Sequence, residues 1–284
     1  MAKILKGRPV ADAICGRLAP RVEALASAGV APALAIVRVG AREDDLAYER
    51  SIEKRFAALG LKVEKTVIPE DAPQSGLMQA IEAVNADASV HGCLLFRPLP
   101  DAFDEAAACA LLDPAKDVDG VTPGSLYGVF AGEPVGFPPC TAEACVALLA
   151  HYGHGLEGAN VAVVGRSLVI GRPVSMMLLA ENATVTMCHT RTRDLPKACR
   201  DADVVVVAAG SAGVFGEKEA HAGQVVVDVG INWDESRQRL VGDVDFDAVE
   251  PVVEAVTPVP GGVGSVTCAV LASHVVEAAE RSLA

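Results

Sequence analysis

Aromatic side chains are scarce, 4% of the 284 residues with a single Trp, yet 51% of the chain is hydrophobic. Its cores must therefore come from Ala, Val, Ile and Leu, a composition suited to helices packed on a parallel sheet in two domains. Positive charge is also short. Lys and Arg number 24 against 37 Asp and Glu, a formal charge of -13, which repels phosphate backbones and anionic lipid heads. With no basic cluster to offset it, neither nucleic acid nor a membrane surface is an expected partner. No run approaches the ~18 apolar residues of a membrane span. The opening MAKILKGRPV lacks a long apolar segment, so a cytoplasmic location is expected. The cysteines at 15, 93, 109, 140, 145, 188, 199 and 268 include no CxxC and no Cys/His pair at zinc spacing. They are expected to be reduced, buried small hydrophobes, and no metal site is expected.

What is present is a βαβ rhythm, twice. A helix from about Val10 to Ala28 precedes the strand PALAIVRVG; a helix containing YERSIEKRF, the strand LKVEKTVI, a helix near 74–85 and the apolar run VHGCLLFRPLP follow. Tyr48, Ile52, Phe56 and Leu59 recur at helical spacing and predict a buried stripe, with Glu43, Asp44 and Asp45 suited to the helix start. Residues 113–139, rich in Pro, Gly and Asp, read as a loop and crossover. The second half repeats the rhythm with nearly pure apolar runs, ANVAVVG, ATVTMCH, ADVVVVAAG and QVVVDVGIN, which predict strands buried on both faces of an open doubly wound sheet. The fold class expected is α/β, with an N-terminal α/β substrate domain at 1–139, a Rossmann-like nucleotide domain at 140–267 and a cleft between them.

A phosphate loop is expected after VAVVG, where Gly165 and Gly171 flank RSLVI without a middle glycine. A strand, a turn and a helix beginning there direct backbone N–H groups toward an anion; turn and packing needs alone are the competing explanation for the glycines. The end of the following strand, MCHTRTR, has His189, Thr190, Arg191 and Arg193 but no carboxylate before Asp194. A ribose 2'-hydroxyl usually meets Asp or Glu there. With Arg166 in the first turn, this chain offers cations instead, which suits the 2'-phosphate of NADP; a solvated arginine rim is the plain alternative.

The segments GRSLVIGRPVSMMLL, TVTMCHTRT, DVGIN and TPVPGGVGSVT, with VGAREDDLAYERS, RPLP and KDVDGVTPGSLYG in the first half, closely resemble the methylenetetrahydrofolate dehydrogenase/cyclohydrolase family across nearly the whole chain. The resemblance implies a folate-binding first domain on which a terminal helix, 268–284, packs back, an NADP domain, tetrahydrofolate derivatives as substrates and a homodimer. It implies a substrate site with Tyr48, Pro98, Leu99, Asp119, Pro260, Gly261 and Gly262, in which Asp119 holds the pterin. It also implies a cofactor site with Gly165, Arg166, Ser167, Gly171, His189, Thr190, Arg191, Gly230, Ile231 and Thr257. Ser265 stands where the family commonly has proline.

Two positions depart from the family pattern. The family's YxxxK lysine falls on Ile52, and the glutamine of VQLPLP falls on Phe96. Hydride removal from a carbon flanked by two nitrogens requires chiefly alignment of two bound molecules. Hydrolysis of the methenyl product requires a group that exchanges protons near neutral pH, which isoleucine cannot do. Lys54 lies about 200° around the helix from Ile52, Arg97 is expected on the strand face opposite Phe96, and the guanidinium of Arg55 does not release a proton at usable pH. The expected activity is an NADP-dependent 5,10-methylenetetrahydrofolate dehydrogenase with cyclohydrolase absent or strongly reduced. The alternatives are a conventional bifunctional enzyme, a shikimate-type dehydrogenase, which would not account for PVPGGVG with KDVDG, and a noncatalytic folate or nucleotide sensor.

Overall fold

The structure, a computed structural model, describes residues 1–283; Ala284, the end of the expected terminal helix, lies outside them. In chain order its elements are β1 (Lys3–Ile4), α1 (Gly7–Ser27), β2 (Ala33–Val39), α2 (Glu43–Leu59), β3 (Lys62–Ile68), α3 (Gln74–Ala86), β4 (Gly92–Leu95), α4 (Glu105–Leu111) and α5 (Pro123–Ala131). There follow α6 (Cys140–His151), β5 (Asn160–Val164), α7 (Gly171–Ala180), β6 (Thr184–Cys188), α8 (Leu195–Arg200), β7 (Val204–Val207) and β8 (Val225–Asp228). The chain ends with β9 (Asn232–Asp234), β10 (Arg239–Val241), α9 (Phe246–Val249), β11 (Ala255–Val256) and α10 (Gly264–Arg281).

Two compact units emerge, each built from two separate stretches of the sequence. One joins Met1–Ala11 to Thr141–Thr267; the other joins Asp12–Cys140 to the residues from Cys268 onward. A first domain drawn as 1–139 therefore needs one correction at its start. Lys3 and Ile4 pair in parallel with Ala255 and Val256, so the first residues extend the sheet of the unit with Thr141–Thr267.

The unit containing Asp12–Cys140 holds a parallel sheet in the order β3-β2-β4. Its central strand, ALAIVRV, is buried along almost its whole length, as β-branched and aliphatic side chains covered on both faces should be. Leu77, Ile81 and Val84 of α3, at helical spacing, pack into the core with Val37, Cys93 and Leu95. On α2 the buried stripe is Asp45, Glu49, Ile52 and Phe56, whereas Tyr48 and Leu59 are only half-buried. The expected stripe was offset because the two acids have partners that hydrophobic periodicity does not register. Arg42 grips Asp45 bidentately at 3.0 and 2.8 Å, and Glu49 receives Arg38 at 2.9 Å and Lys65 at 3.2 Å. Gly60, with φ 72°, ends α2 in the left-handed conformation that glycine tolerates.

The other unit carries a parallel six-stranded sheet, β1-β11-β8-β7-β5-β6. Its inner strands β7 and β8 are buried throughout. β6 is not buried on both faces as its composition suggested; Thr184, Thr186 and Met187 are exposed because it is an edge strand with one neighbour. The segment 113–139 is likewise more than a loop. Thr122 caps Ser125 N at 3.0 Å and Pro123 occupies the first turn of α5, an arrangement that starts a helix.

Candidate functional site

In the unit with Asp12–Cys140, α2 places Tyr48 and Ile52 one turn apart. Ile52 is fully buried, while Tyr48 is half-exposed. The backbone leaving β4 brings Phe96 against Tyr48, with ring centroids 5.9 Å apart and planes at 90°, the edge-to-face packing that aromatic quadrupoles favour. Lys54 is exposed, and Arg55 directs its guanidinium to Cys15 Sγ at 3.1 Å. The strand ends at Leu95, so strand alternation does not set the direction of Arg97, whose charge acts to lower the pKa of the Asp119 carboxyl. Its guanidinium lies 3.6 Å from Glu105, while its buried Nε has no hydrogen-bond partner among the described residues. Leu99 is buried and its N–H donates to Glu105 at 2.8 Å; Pro98 is exposed.

Asp119 lies in a tightly held turn. The Asp117 carboxylate accepts from Val121 N at 3.0 Å and Thr122 N at 2.7 Å. Gly120 has φ 66°, and a Cβ there would come within 2.4 Å of Pro139 N. Burial pushes the half-exposed Asp119 carboxyl up to about 6, with Asp117 adding to the rise, against a hydrogen bond from Cys140 and the charges of Arg97 and His274. Such a group can switch from proton carrier to pure acceptor near neutrality.

In the other unit the carboxyl ends of the strands gather the nucleotide-loop residues. Val164 of β5 is in register with Cys188 of β6, and Gly165 N donates to Cys188 O at 2.9 Å, so residues 165–171 and 189–194 leave the sheet side by side. A Cβ on Gly165 would meet Ala208 O at 2.2 Å, and one on Gly171 would meet Gly165 O at 2.4 Å. Both glycines thus serve close backbone packing. Arg166, Ser167, Thr190 and Arg191 are exposed at this edge. Ser167 Oγ accepts from Ile170 N at 3.1 Å at the start of α7, and His189 Nδ1 accepts from Arg191 N at 3.0 Å, which puts the His189 hydrogen on Nε2. Gly230 is buried and Ile231 exposed, whereas Thr257 is fully buried. The Thr257 hydroxyl accepts from Asp228 N at 2.7 Å and donates to Asp228 O at 3.3 Å, so it is committed to the sheet. In the 257–262 loop, Gly262 is buried, Pro260 and Gly261 are exposed, and Gly261 O accepts from Gly7 N at 2.8 Å.

Two buried acids of this unit have no role assigned from the sequence, although Asp228 opens the DVGIN segment. Asp243 accepts from Ala209 N, Gly210 N, Ser211 N and Asn232 Nδ2 at 2.6 to 2.9 Å. Asp228 accepts from Gly230 N, Asp243 N and Val244 N at 2.9 to 3.1 Å. Burial pushes Asp228 up to about 6 despite those bonds, with Asp243 adding to the rise. Together they tie three loops to the sheet edge. Their sequence signals are DVGIN for Asp228 and, for Asp243, only an acid next to a glycine in GDV. Among the described residues no three His, Cys, Asp or Glu side chains are grouped to hold a metal, and no helix is long and apolar enough to cross a membrane.

Known proteins match this arrangement along the full chain. The tetrahydrofolate dehydrogenase/cyclohydrolase catalytic-domain family matches residues 5–119, and its NAD(P)-binding domain matches residues 139–283. A bifunctional protein FolD from Carboxydothermus hydrogenoformans is 49% identical over 281 residues, 99% of this chain and 98% of that one. The crystal structure of the bifunctional FolD methylenetetrahydrofolate dehydrogenase/cyclohydrolase from Campylobacter jejuni is 36% identical, covers 99% of each chain and has a TM-score of 0.95. That of the Trypanosoma brucei enzyme complexed with NADP and an inhibitor is 34% identical, with a TM-score of 0.93 over 99% of this chain and 98% of that one.

Proposed function

The chain belongs to the tetrahydrofolate dehydrogenase/cyclohydrolase family, and from that premise we propose that it is an NADP-dependent 5,10-methylenetetrahydrofolate dehydrogenase whose cyclohydrolase activity is absent or strongly reduced. The observation that carries the second half is the fully buried Ile52 one turn from Tyr48, with Phe96 packed on the tyrosine ring. Nothing in that trio except the tyrosine hydroxyl can carry a proton.

The residues at the sheet edge fit the cofactor. Gly165 and Gly171 keep the loop close to the strand ends, where the start of α7 favours an anion. Arg166 and Arg191 leave neighbouring strands exposed and offer charge to a 2'-phosphate, with Ser167 and Thr190 as hydroxyl partners and the His189 Nε2–H as a further donor. Gly230, Ile231 and the backbone at Thr257 line the same edge. NADP, when bound, supplies the hydride-accepting nicotinamide. On the substrate side, within the unit with Asp12–Cys140, ionised Asp119 accepts paired N–H bonds from the aminopyrimidinone ring, while Tyr48, Pro98 and Leu99 flank the one-carbon unit. Alignment by these groups is the main catalytic resource hydride transfer needs.

Hydrolysis is different. Water must add to the methenyl carbon and lose a proton, and the departing ring nitrogen must gain one. Lys54 is exposed and Arg55 is turned to Cys15, so neither replaces the family lysine at position 52.

The relatives favour a second reading, a conventional bifunctional enzyme, because several at 44 to 49% identity over nearly the whole chain are named bifunctional. One paired assay separates the two. Purified protein with methylenetetrahydrofolate and NADP should form NADPH, while methenyltetrahydrofolate supplied alone should decay at the buffer rate. Enzyme-dependent decay well above that rate establishes the bifunctional reading, and binding of both ligands without NADPH formation establishes a sensor.

A further inference from the structure

We propose that His274 of α10 and Cys140, at the start of α6, are positioning residues that hold Asp119 in its binding orientation. This rests on the reading of Asp119 as the pterin contact. The turn that presents Asp119 is fixed before and after it by Asp117 and by the close approach of Gly120 to Pro139. Neither constraint reaches the peptide immediately preceding Asp119. That peptide is held from below. Val118 is fully buried, and its carbonyl receives His274 Nδ1 at 2.8 Å and the Cys140 thiol at 3.2 Å. A carbonyl only accepts, so Nδ1 must carry the hydrogen. The 3.7 Å approach of Cys140 Sγ to Nδ1 therefore leaves the thiol hydrogen for oxygen acceptors, and it also bonds the Asp119 carboxyl.

The imidazole is oriented rather than loosely packed. It is 3% exposed, and the Phe137 ring stacks on it with centroids 5.0 Å apart and a 33° tilt. Arg281, about two turns further along α10, covers Phe137 at 4.3 Å and donates to Gly136 O at 3.0 Å. A leucine would fill the same space. What histidine adds is a fixed strong donor to the carbonyl adjoining Asp119, and a buried carbonyl left with only the weak thiol donor would let the peptide rotate.

The test compares H274L, which removes the donor, with H274N, whose amide nitrogen occupies nearly the position of Nδ1. Two readouts separate positioning from the identity of the ligand. Hydrogen exchange at the amides of residues 118–122 should quicken in H274L and remain near wild type in H274N. In steady-state kinetics H274L should raise the KM for methylenetetrahydrofolate at least ~10-fold with a smaller change in kcat and none in the KM for NADP; H274N should stay within about threefold of wild type. C140A against C140S repeats the comparison from α6 should H274L fail to fold. Unchanged exchange in both H274L and C140A, or equal impairment of H274L and H274N, overturns the proposal. Faster exchange with an unchanged KM confirms the positioning and instead overturns Asp119 as the folate contact.

Discussion

On the proposed reading, Ile52 and Phe96 stand together where the family has a lysine and a glutamine, a joint change that makes physical sense because either polar group left alone against apolar neighbours would cost about 1 to 3 kcal/mol. The reverse change should therefore be made as a pair. I52K alone places an ammonium at a fully buried position and should destabilise the fold by about 3 to 5 kcal/mol, read as a lower denaturation midpoint. I52K/F96Q should recover part of that loss and gain methenyl hydrolysis above the buffer rate; a stable double variant without hydrolysis would show that further groups are missing. Asp119 yields a pH prediction. Its carboxyl, ordinarily near 3.8, is pushed to about 6, mainly by burial. Between those values the folded chain keeps a proton that the unfolded chain has lost, so this residue's contribution to stability falls as pH rises through the window and is constant above it. Substrate binding runs the other way, because only the ionised form accepts from two N–H groups. The KM for methylenetetrahydrofolate should rise as pH drops below about 6, and D119N should remove that dependence while raising KM throughout.

Elements whose side chains obey a simple period were legible in the sequence: β2, β7 and β8 as apolar runs, and α3 by its Leu77, Ile81 and Val84 spacing. Where a polar group does the work of packing, periodicity failed. The stripe of α2 was misread because Asp45 and Glu49 are buried with arginine partners. Exposure was legible at Arg166 and Arg191, because a guanidinium is seldom buried without a carboxylate partner. The role of Asp243 was not, because three of its four partners are backbone N–H groups that any sequence would supply. Its four accepted bonds draw the loops after β7 and β8 to the sheet edge. D243A strands those donors and should cost about 1 to 3 kcal/mol, with a raised KM for NADP and an unaltered KM for folate. A KM for NADP equal to wild type would show that these loops do not serve the cofactor.

Chain ends are where sequence order and three-dimensional grouping diverge most. A domain reading follows the chain, but β1 completes a sheet whose other strands begin at residue 160, and the chain from Cys268 onward joins a unit otherwise built from Asp12–Cys140. The reason is hydrophobic. Leu271, Ala272, Val275, Val276 and Ala279 of α10 are all completely buried, far more than an amphipathic surface helix needs, and Val275 approaches Gly92 so closely that a Cβ there would sit 3.1 Å from its methyl group. Arg21 of α1 adds a two-point clasp on Glu280 at 2.9 and 2.6 Å, although at a half-exposed site this contributes little. Burial of aliphatic side chains at about 25 cal/mol per Å2 makes α10 a principal source of that unit's stability. A chain ending at Thr267 should consequently retain a cooperative transition for the six-stranded sheet and lose the one for the unit with Asp12–Cys140, seen by calorimetry as one transition of reduced enthalpy. Supplying residues 268–284 as a separate peptide should restore part of the missing enthalpy in proportion to peptide bound. If the shortened chain instead melts like the full one, the core around β2 and β4 is sufficient by itself, and the buried face of α10 only adds to a unit that is already stable.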